Sequence, residues 1–65
     1  MKRGQKLIAT KDIRNSLGTL MCNNGDELDF IEVETLSQVQ YPYCVWCEKT
    51  QKEFCISDRE FKILL

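Results

Sequence analysis

Histidine is absent from this chain, and glycine, proline and tryptophan are scarce: the 65 residues include 3 glycines, 1 proline and 1 tryptophan. Without histidine, the commonest general base of enzymes and the nitrogen ligand of mixed zinc sites are both missing. The sequence also lacks a glycine-rich loop for a phosphate, and no nucleophile has a visible base beside it. We therefore expect a protein that is not an enzyme and that holds no cofactor.

Long hydrophobic runs are absent as well. After the basic start only Leu7, Ile8 and Ala9 follow before charge returns at Lys11, whereas a secretory segment needs roughly 7–15 consecutive apolar residues. A membrane-spanning helix needs about 18 such residues. The sequence predicts a cytoplasmic protein that enters no membrane, and in the cytoplasm cysteine thiols usually stay reduced.

The length and composition predict one small folded domain. A hydrophobic fraction of 43% and a charged fraction of 29% are typical of globular proteins rather than disordered ones. A domain of this length buries only about 60% of its unfolded surface, so its core is small. We expect a single domain over residues 1–65, in which residues 1–5 form a flexible N-terminal segment.

The net charge of −1 conceals an uneven distribution of charged residues. Basic residues predominate in residues 1–14, whereas residues 26–34 contain acidic residues and no base. We interpret these segments as solvated faces of neighbouring strands that attract each other weakly; a polarised surface that orients a charged partner is the alternative. A strongly basic stripe is absent, so nucleic acid is not the expected partner. Weak nucleic-acid binding through the basic N-terminal segment stays a further alternative.

Short β-rich segments separated by polar turns run through the chain, and no window shows the 3.6-residue apolar period of a helix. The sequence NNGD at residues 23–26 is a turn signal, because asparagine and glycine tolerate positive φ. Residues 11–18 predict a loop, and residues 36–40 predict a polar connector. The predicted strands cover residues 6–10, 19–22, 27–34, 41–48, 53–57 and 62–65.

The alternation of apolar residues is interrupted in the predicted strand at residues 27–34. Leu28 and Phe30 share one face of this strand, and Ile31 and Val33 share the opposite face. A regular half-buried strand keeps its apolar residues on one face. The shift therefore predicts a β-bulge or a strong bend within the strand.

Two segments of the chain resemble the SH3-like barrel family. LMCNNGDELDFIEVE, residues 20–34, is similar to that family's diverging turn and following strand. YCVWCEKTQKEFCISDREFKIL, residues 43–64, is similar to its distal hairpin, single 3₁₀ turn and last strand, and Ser57 and Glu60 there have the spacing of a capping box. The resemblance covers roughly residues 6–64. It implies an all-β, small SH3-like barrel of five or six short strands, with a one-turn helix before the last strand.

The same resemblance implies a position for the binding site. In SH3-like barrels the connector before the distal hairpin borders the ligand groove together with the long first loop, here residues 11–18. Tyr41 and Tyr43 are then candidate partner contacts; the alternative is that both are half-packed at a strand start with their hydroxyls in water. Two departures from the family count against a polyproline ligand: the first strand has no tyrosine, and Ile56-Ser57 replaces the family's proline.

Residues 41–57 predict a hairpin with Thr50-Gln51 at its tip. In this register Cys47 lies opposite Phe54, and Cys44 and Cys55 are diagonal neighbours that can be oxidised; a register different by one residue would instead oppose Cys47 and Cys55. The predicted core face carries Tyr43, Val45, Cys47, Phe54 and Ile56. The predicted outer face carries Cys44, Trp46, Glu48, Glu53, Cys55 and Ser57.

Four cysteines invite comparison with a zinc site, because four thiolates complete a tetrahedral set. However, Cys44 and Cys47 are three residues apart on a predicted strand and therefore face opposite sides. Cys22 and Cys55 stand alone rather than in a second CxxC pair. A zinc-stabilised adaptor that uses Cys22, Cys44, Cys47 and Cys55 is therefore only the alternative interpretation.

These observations favour a non-catalytic protein-interaction or regulatory module of bacterial or phage type. An aromatic and thiol surface around an exposed Trp46 would suit a protein partner or a homodimer interface. The alternative is a hairpin register that places Trp46 in the core. The expected partner is another protein, and the candidate contact residues are Tyr41, Tyr43, Trp46, Cys44 and Cys55.

Overall fold

A computed structural model of the chain describes residues 2–34 and 40–64. In these ranges the chain forms seven strands and no helix, so nothing there has the length and apolarity of a membrane-spanning helix. The prediction of an all-β domain is confirmed, with one strand more than expected because the predicted first loop contains β2. The strands are β1 (Lys6–Ala9), β2 (Ile13–Arg14), β3 (Leu20–Cys22), β4 (Glu27–Val33), β5 (Tyr43–Cys47), β6 (Lys52–Ile56) and β7 (Phe61–Ile63).

Five of these strands form one antiparallel sheet in the order β6-β5-β4-β1-β7, and β2 pairs with β3 in a separate two-stranded sheet. Within the described ranges β6 and β7 are the edges of the larger sheet, which is not closed by hydrogen bonds. The sheet nevertheless curls strongly. The rings of Tyr43 on β5 and Phe61 on β7 meet edge-to-face at 5.2 Å, although β4 and β1 lie between their strands in the sheet order.

A bulge in β4 contributes to this curl. Phe30 pairs with Val45, and the next pair is Glu32 with Cys44, so Ile31 is an extra residue on the β4 side. The bulge predicted from the sequence is therefore confirmed. A bulge bends its strand and increases the local twist, which helps a short sheet wrap around a small core.

The core fills the space between the concave side of the curled sheet and the β2–β3 pair. Half-buried Met21, Tyr43, Phe54 and Phe61 pack against it. Its buried side chains come from both sheets, and they are Leu7, Ala9, Ile13, Cys22, Leu28, Phe30, Val45, Cys47 and Ile56.

The predicted register of the β5–β6 hairpin is wrong by two residues. Cys47 pairs with Lys52 rather than with Phe54, so the loop consists of residues 48–51. A two-residue loop needs positive φ at its central positions, which asparagine and glycine supply readily and Thr50-Gln51 does not. The longer loop needs a positive φ only at Gln51, where φ is 56°.

The shift of two residues leaves every side chain of the hairpin on its predicted face, because faces alternate with a period of two. Val45, Cys47 and Ile56 are buried on the core side, as expected. Trp46 is half-buried and does not belong to the core cluster, so the alternative that placed it in the core is wrong.

A hydrogen-bonded turn occupies residues 57–60, where the sequence predicted a one-turn helix. The Glu60 amide donates to the Ser57 carbonyl at 3.1 Å, and the Ser57 amide donates to Glu60 Oε1 at 2.9 Å. The side-chain contact of a capping box is therefore present. The helix is not, because the chain enters β7 directly at Phe61 and leaves no further residues to continue it.

Neighbouring strands bring basic and acidic residues of the two charged segments together. Lys6 of β1 forms an ion pair with Asp29, which lies opposite it on β4. The N-terminal residues are attached to the same strand, since the Gly4 amide donates to the Phe30 carbonyl at 2.8 Å. The predicted connector at residues 36–40 lies outside the described ranges except for Gln40, as does Leu65 at the end of the last predicted strand.

Candidate functional site

The candidate site is a surface groove bordered by two loops, and the first of these walls is the loop between β2 and β3. The side-chain oxygen of Asn15 accepts hydrogen bonds from the amides of Leu17 and Thr19, both at 2.9 Å. Gly18 adopts a φ of 84°, which favours glycine, and its amide donates to the Asn15 carbonyl. Arg14 Nη1 donates to the Gly18 carbonyl at 2.9 Å. These bonds all lie within residues 14–19 and hold the loop in its conformation.

The second wall is the turn at residues 57–60. The Thr10 amide donates to the Glu60 carbonyl at 3.0 Å, and Thr10 Oγ1 donates to the Arg59 carbonyl at 3.2 Å. Inside the turn, Ser57 Oγ donates to Glu60 Oε1 at 3.1 Å. The turn is therefore fastened to the end of β1, and the Glu60 carboxylate serves to hold its shape.

Tyr41 lies between the two walls. Its side chain is 46% exposed, and it lines two cavities of about 410 Å³ each. We refer to the two cavities together as the Tyr41 groove. The first cavity is lined by Ile13, Arg14, Asn15, Ser16, Tyr41, Cys55 and Glu60. The second is lined by Lys11, Gln40, Tyr41, Ser57, Asp58, Arg59 and Glu60.

The dimensions and walls of the groove suit side chains rather than a large rigid ligand. Each cavity is near the lower end of the roughly 300–1,000 Å³ range of ligand pockets. Ile13 and the Tyr41 ring provide apolar wall, and polar groups surround them. An extended chain crossing Tyr41 could place one side chain in each cavity.

Basic side chains outnumber acidic ones in the groove lining. Lys11, Arg14 and Arg59 are basic, whereas Asp58 and Glu60 are acidic. Both ion pairs found among residues 2–34 and 40–64 lie elsewhere, since they join Lys6 to Asp29 and Lys49 to Asp26. The groove therefore presents cationic groups that the described part of the chain does not neutralise by direct pairing.

The structure separates the two tyrosines that the sequence grouped as partner contacts. Tyr41 is in the groove, whereas Tyr43 packs its ring against the core and against Phe61. Tyr43 is not part of the lining of either cavity. The interpretation of half-packed tyrosines thus describes Tyr43 and does not describe Tyr41.

Trp46 lies on the outer face of the hairpin, away from the Tyr41 groove. Its strand partners are Asp29 on β4 and Glu53 on β6. Its indole Nε1 donates to Glu48 Oε2 at 2.6 Å. The indole thus has its polar group satisfied locally and is surrounded by carboxylates.

Cys44 and Cys55 form a disulfide across the hairpin, which corrects the expectation of reduced thiols. The observed register puts Cys44 directly opposite Cys55 instead of diagonal to it. Cys22 and Cys47 are free thiols with no exposed surface. Burial, and then the nearby Cys47, raise the pKa of the Cys22 thiol to about 12.

The zinc alternative does not fit this arrangement. Strand alternation sends Cys47 into the core and Cys44 to the outer face, where its sulfur is bonded to Cys55. Throughout the ranges that the structure describes, histidine, cysteine, aspartate and glutamate form no group of three or more placed to hold a metal ion. The sulfurs of Cys22, Cys44, Cys47 and Cys55 therefore do not assemble a tetrahedral set.

Comparisons of this chain with protein-family models, with curated proteins and with solved structures found no match.

The resemblance predicted that the first loop borders a binding site, but it did not predict which of the loop's side chains line the groove. Ile13 and Arg14 belong to β2, which was expected to be loop. The one available signal was Asn15 three residues before Gly18, a spacing typical of a tight turn. Arg59 and Glu60 had been assigned only to a helical turn, with no role in a groove.

Proposed function

We propose that this chain is a non-catalytic protein-interaction module and that the Tyr41 groove binds an extended segment of a partner protein. The observation that carries this proposal is the position of Tyr41, an exposed aromatic residue that lines two cavities, each with room for a side chain. Tyrosine is enriched at interfaces because its ring contributes apolar contact while its hydroxyl can bond to water or to a partner.

The finer proposal for the fold is a small SH3-like barrel. The order of elements supports it: a long first loop, the turn at residues 23–26, a distal hairpin formed by β5 and β6, a short turn and a last strand. The curl that brings Tyr43 to Phe61 and the return of β7 to pair with β1 also favour a barrel. Under this proposal the Tyr41 groove occupies the position that the resemblance implies for a ligand.

The chemistry of the groove favours binding over catalysis. The Ser57 hydroxyl is bonded to a carboxylate, but Glu60 accepts hydrogen bonds from both the hydroxyl and the amide of Ser57 and so acts as a structural acceptor. Among the described residues that line the groove, Cys55 is the only cysteine, and it is bonded to Cys44 and offers no thiolate.

Peptide-display selection on the native protein would test this function. We expect selected peptides to bind with an affinity that Tyr41→Ala lowers about tenfold or more, the effect of losing a central aromatic contact. Amide shift changes on binding should concentrate at residues 11–18 and 57–60. Ile63→Ala is the matched control, because Ile63 is also 46% exposed but lies on β7. Selected peptides that ignore Tyr41→Ala, or that shift the amides around Trp46 instead, would contradict the proposal.

A further inference from the structure

The charge of the Tyr41 groove indicates the chemistry of its partner. We propose that the groove binds an acidic peptide segment, in which carboxylates flank an apolar side chain that packs against Tyr41. This inference rests on the proposed function, and it adds the class of partner to it.

Basic residues line both of the cavities that Tyr41 borders. Arg14 lines one cavity, and Lys11 and Arg59 line the other. Arg14 donates from Nη1 to the Gly18 carbonyl, which restrains its guanidinium, and a guanidinium has further N–H groups that can bind a ligand. A segment crossing Tyr41 would meet a positive charge in each cavity.

The Glu60 carboxylate keeps its charge, but its hydrogen-bonding capacity is partly used inside the turn. Glu60 accepts two hydrogen bonds from Ser57 within the turn, at 2.9 and 3.1 Å. Asp58 is the other acidic side chain of the lining; it shares the second cavity with Lys11 and Arg59, whereas Arg14 lines the first. Lys11, Arg14 and Arg59 against Asp58 and Glu60 leave the whole lining with one excess positive charge, which favours a carboxylate of a partner over a lysine or arginine.

Apolar groups line the groove beside the cations. Ile13 and Tyr41 line the same cavity as Arg14, and the disulfide-bonded Cys55 lines it as well. An apolar side chain fits this wall better than a further charged group would. The combination suits a segment that alternates acidic and apolar residues.

Nucleic acid is also anionic, but the groove suits it less well than a peptide. Sequence-independent binding of a single strand uses a continuous basic track and several aromatic rings on which successive bases stack. Of the described side chains that line the groove, Tyr41 alone is aromatic. We therefore assign the groove to an acidic peptide and treat an oligonucleotide as a competing outcome of the test.

Three fluorescently labelled peptides would test the inference on the intact, oxidised chain. The first has a leucine pair flanked by glutamates, and the others have glutamine or lysine in place of every glutamate. We expect the glutamate peptide to bind tightest and the lysine peptide weakest. The difference in affinity between the glutamate and glutamine peptides should shrink as NaCl rises from about 0.05 to 0.5 M, because salt screens exposed charges.

Charge-removing variants would locate the effect. Lys11→Gln, Arg14→Gln and Arg59→Gln should each weaken the glutamate peptide about two- to fivefold, the size expected for one exposed ion pair. Lys62→Gln removes the same charge from β7, outside the groove lining, and should change nothing. Arg14→Lys, which keeps the charge, should restore most of the affinity lost in Arg14→Gln. Circular dichroism melting of each variant would verify folding.

The possible results distinguish a failure of the acidic-peptide proposal from a failure of the proposed interaction function. Tyr41-dependent binding in which the glutamine or lysine peptide equals the glutamate peptide would overturn the acidic partner and leave the interaction module standing. Failure of all three peptides to bind, while display selection yields other Tyr41-dependent peptides, would do the same. An oligothymidine that displaces the glutamate peptide and binds more tightly would assign the groove to nucleic acid instead.

Discussion

Cys44 on β5 lies directly opposite Cys55 on β6, and the two sulfurs are bonded across the strand pair. Within the described ranges β6 is an edge strand that pairs only with β5, so the disulfide adds a second covalent link to the one that the loop at residues 48–51 provides. Cys55 also lines the Tyr41 groove. The cross-link therefore stabilises the hairpin and also holds one residue of the groove lining in place.

Reduction of this disulfide should lower the free energy of unfolding by about 2–3 kcal/mol, because a cross-link over a short loop restricts the unfolded chain. The linked residues are 11 apart in sequence. Urea unfolding with and without dithiothreitol would measure the loss. The Cys44→Ser/Cys55→Ser double variant is the control, since the reductant should not shift its midpoint. An unchanged midpoint for the natural chain would show that the cross-link contributes nothing.

Asp26 should stabilise the turn at residues 23–26 through its charge. The Asn23 amide donates to Asp26 Oδ2 at 2.9 Å and Lys49 Nζ lies 3.2 Å from Oδ1; the amide first, and then Lys49, hold the pKa of this buried carboxyl below its ordinary value. We expect Asp26→Ala to cost about 1–3 kcal/mol of unfolding free energy. Asp58→Ala, at an exposed position of another turn, should cost much less.

The sign of the pH dependence follows from the lowered pKa of Asp26. Its contribution is complete above the ordinary carboxyl pKa of 3.8 and is lost as the pH falls through the lower folded value. Chemical denaturation between about pH 2 and 6 should show that Asp26→Asn loses less stability in acid than the natural chain does. Equal acid losses in the two proteins would refute this role.

Cys22 should make the protein sensitive to alkali. Burial raises the pKa of its thiol to about 12, from an ordinary value of 9.0, so folding favours the protonated form. The stabilising contribution is complete below pH 9.0 and is lost as the pH rises toward the folded value. Unfolding free energies measured at pH 8 and pH 10.5 should therefore fall more steeply for the natural chain than for Cys22→Ala. A parallel fall in both would contradict the assignment.

Two leucines provide a matched test of the core. Leu28 is 1% exposed and belongs to the buried cluster, whereas Leu17 is 87% exposed at the tip of the first loop. Leu28→Ala should cost about 2–5 kcal/mol of unfolding free energy, because it leaves a cavity that a small core fills poorly. Leu17→Ala should stay within about 0.5 kcal/mol. Similar costs for the two variants would contradict the described core.

Much of the strand architecture could be predicted because side-chain alternation is a local property. Val45, Cys47 and Ile56 were assigned to the core face from spacing alone, and all three are buried. The interrupted alternation after Phe30 predicted the bulge that Ile31 forms. Errors arose where the outcome depended on a loop: the turn at residues 48–51 has two more residues than expected, and the turn at residues 57–60 has no helix.

The sequence by itself determined that this is an all-β chain, and it favoured the observed face for each hairpin residue, because a period of two survives any even error in register. The structure excluded the register different by one residue, which would have reversed the faces of one strand. Only the tertiary structure decided that Cys44 meets Cys55, since that contact depends on a loop whose length is set by the backbone conformation at Gln51. The groove was equally beyond the sequence. Arg14, Tyr41 and Glu60 are far apart in the chain, and the curl of the sheet and the anchoring of two loops bring them to one surface.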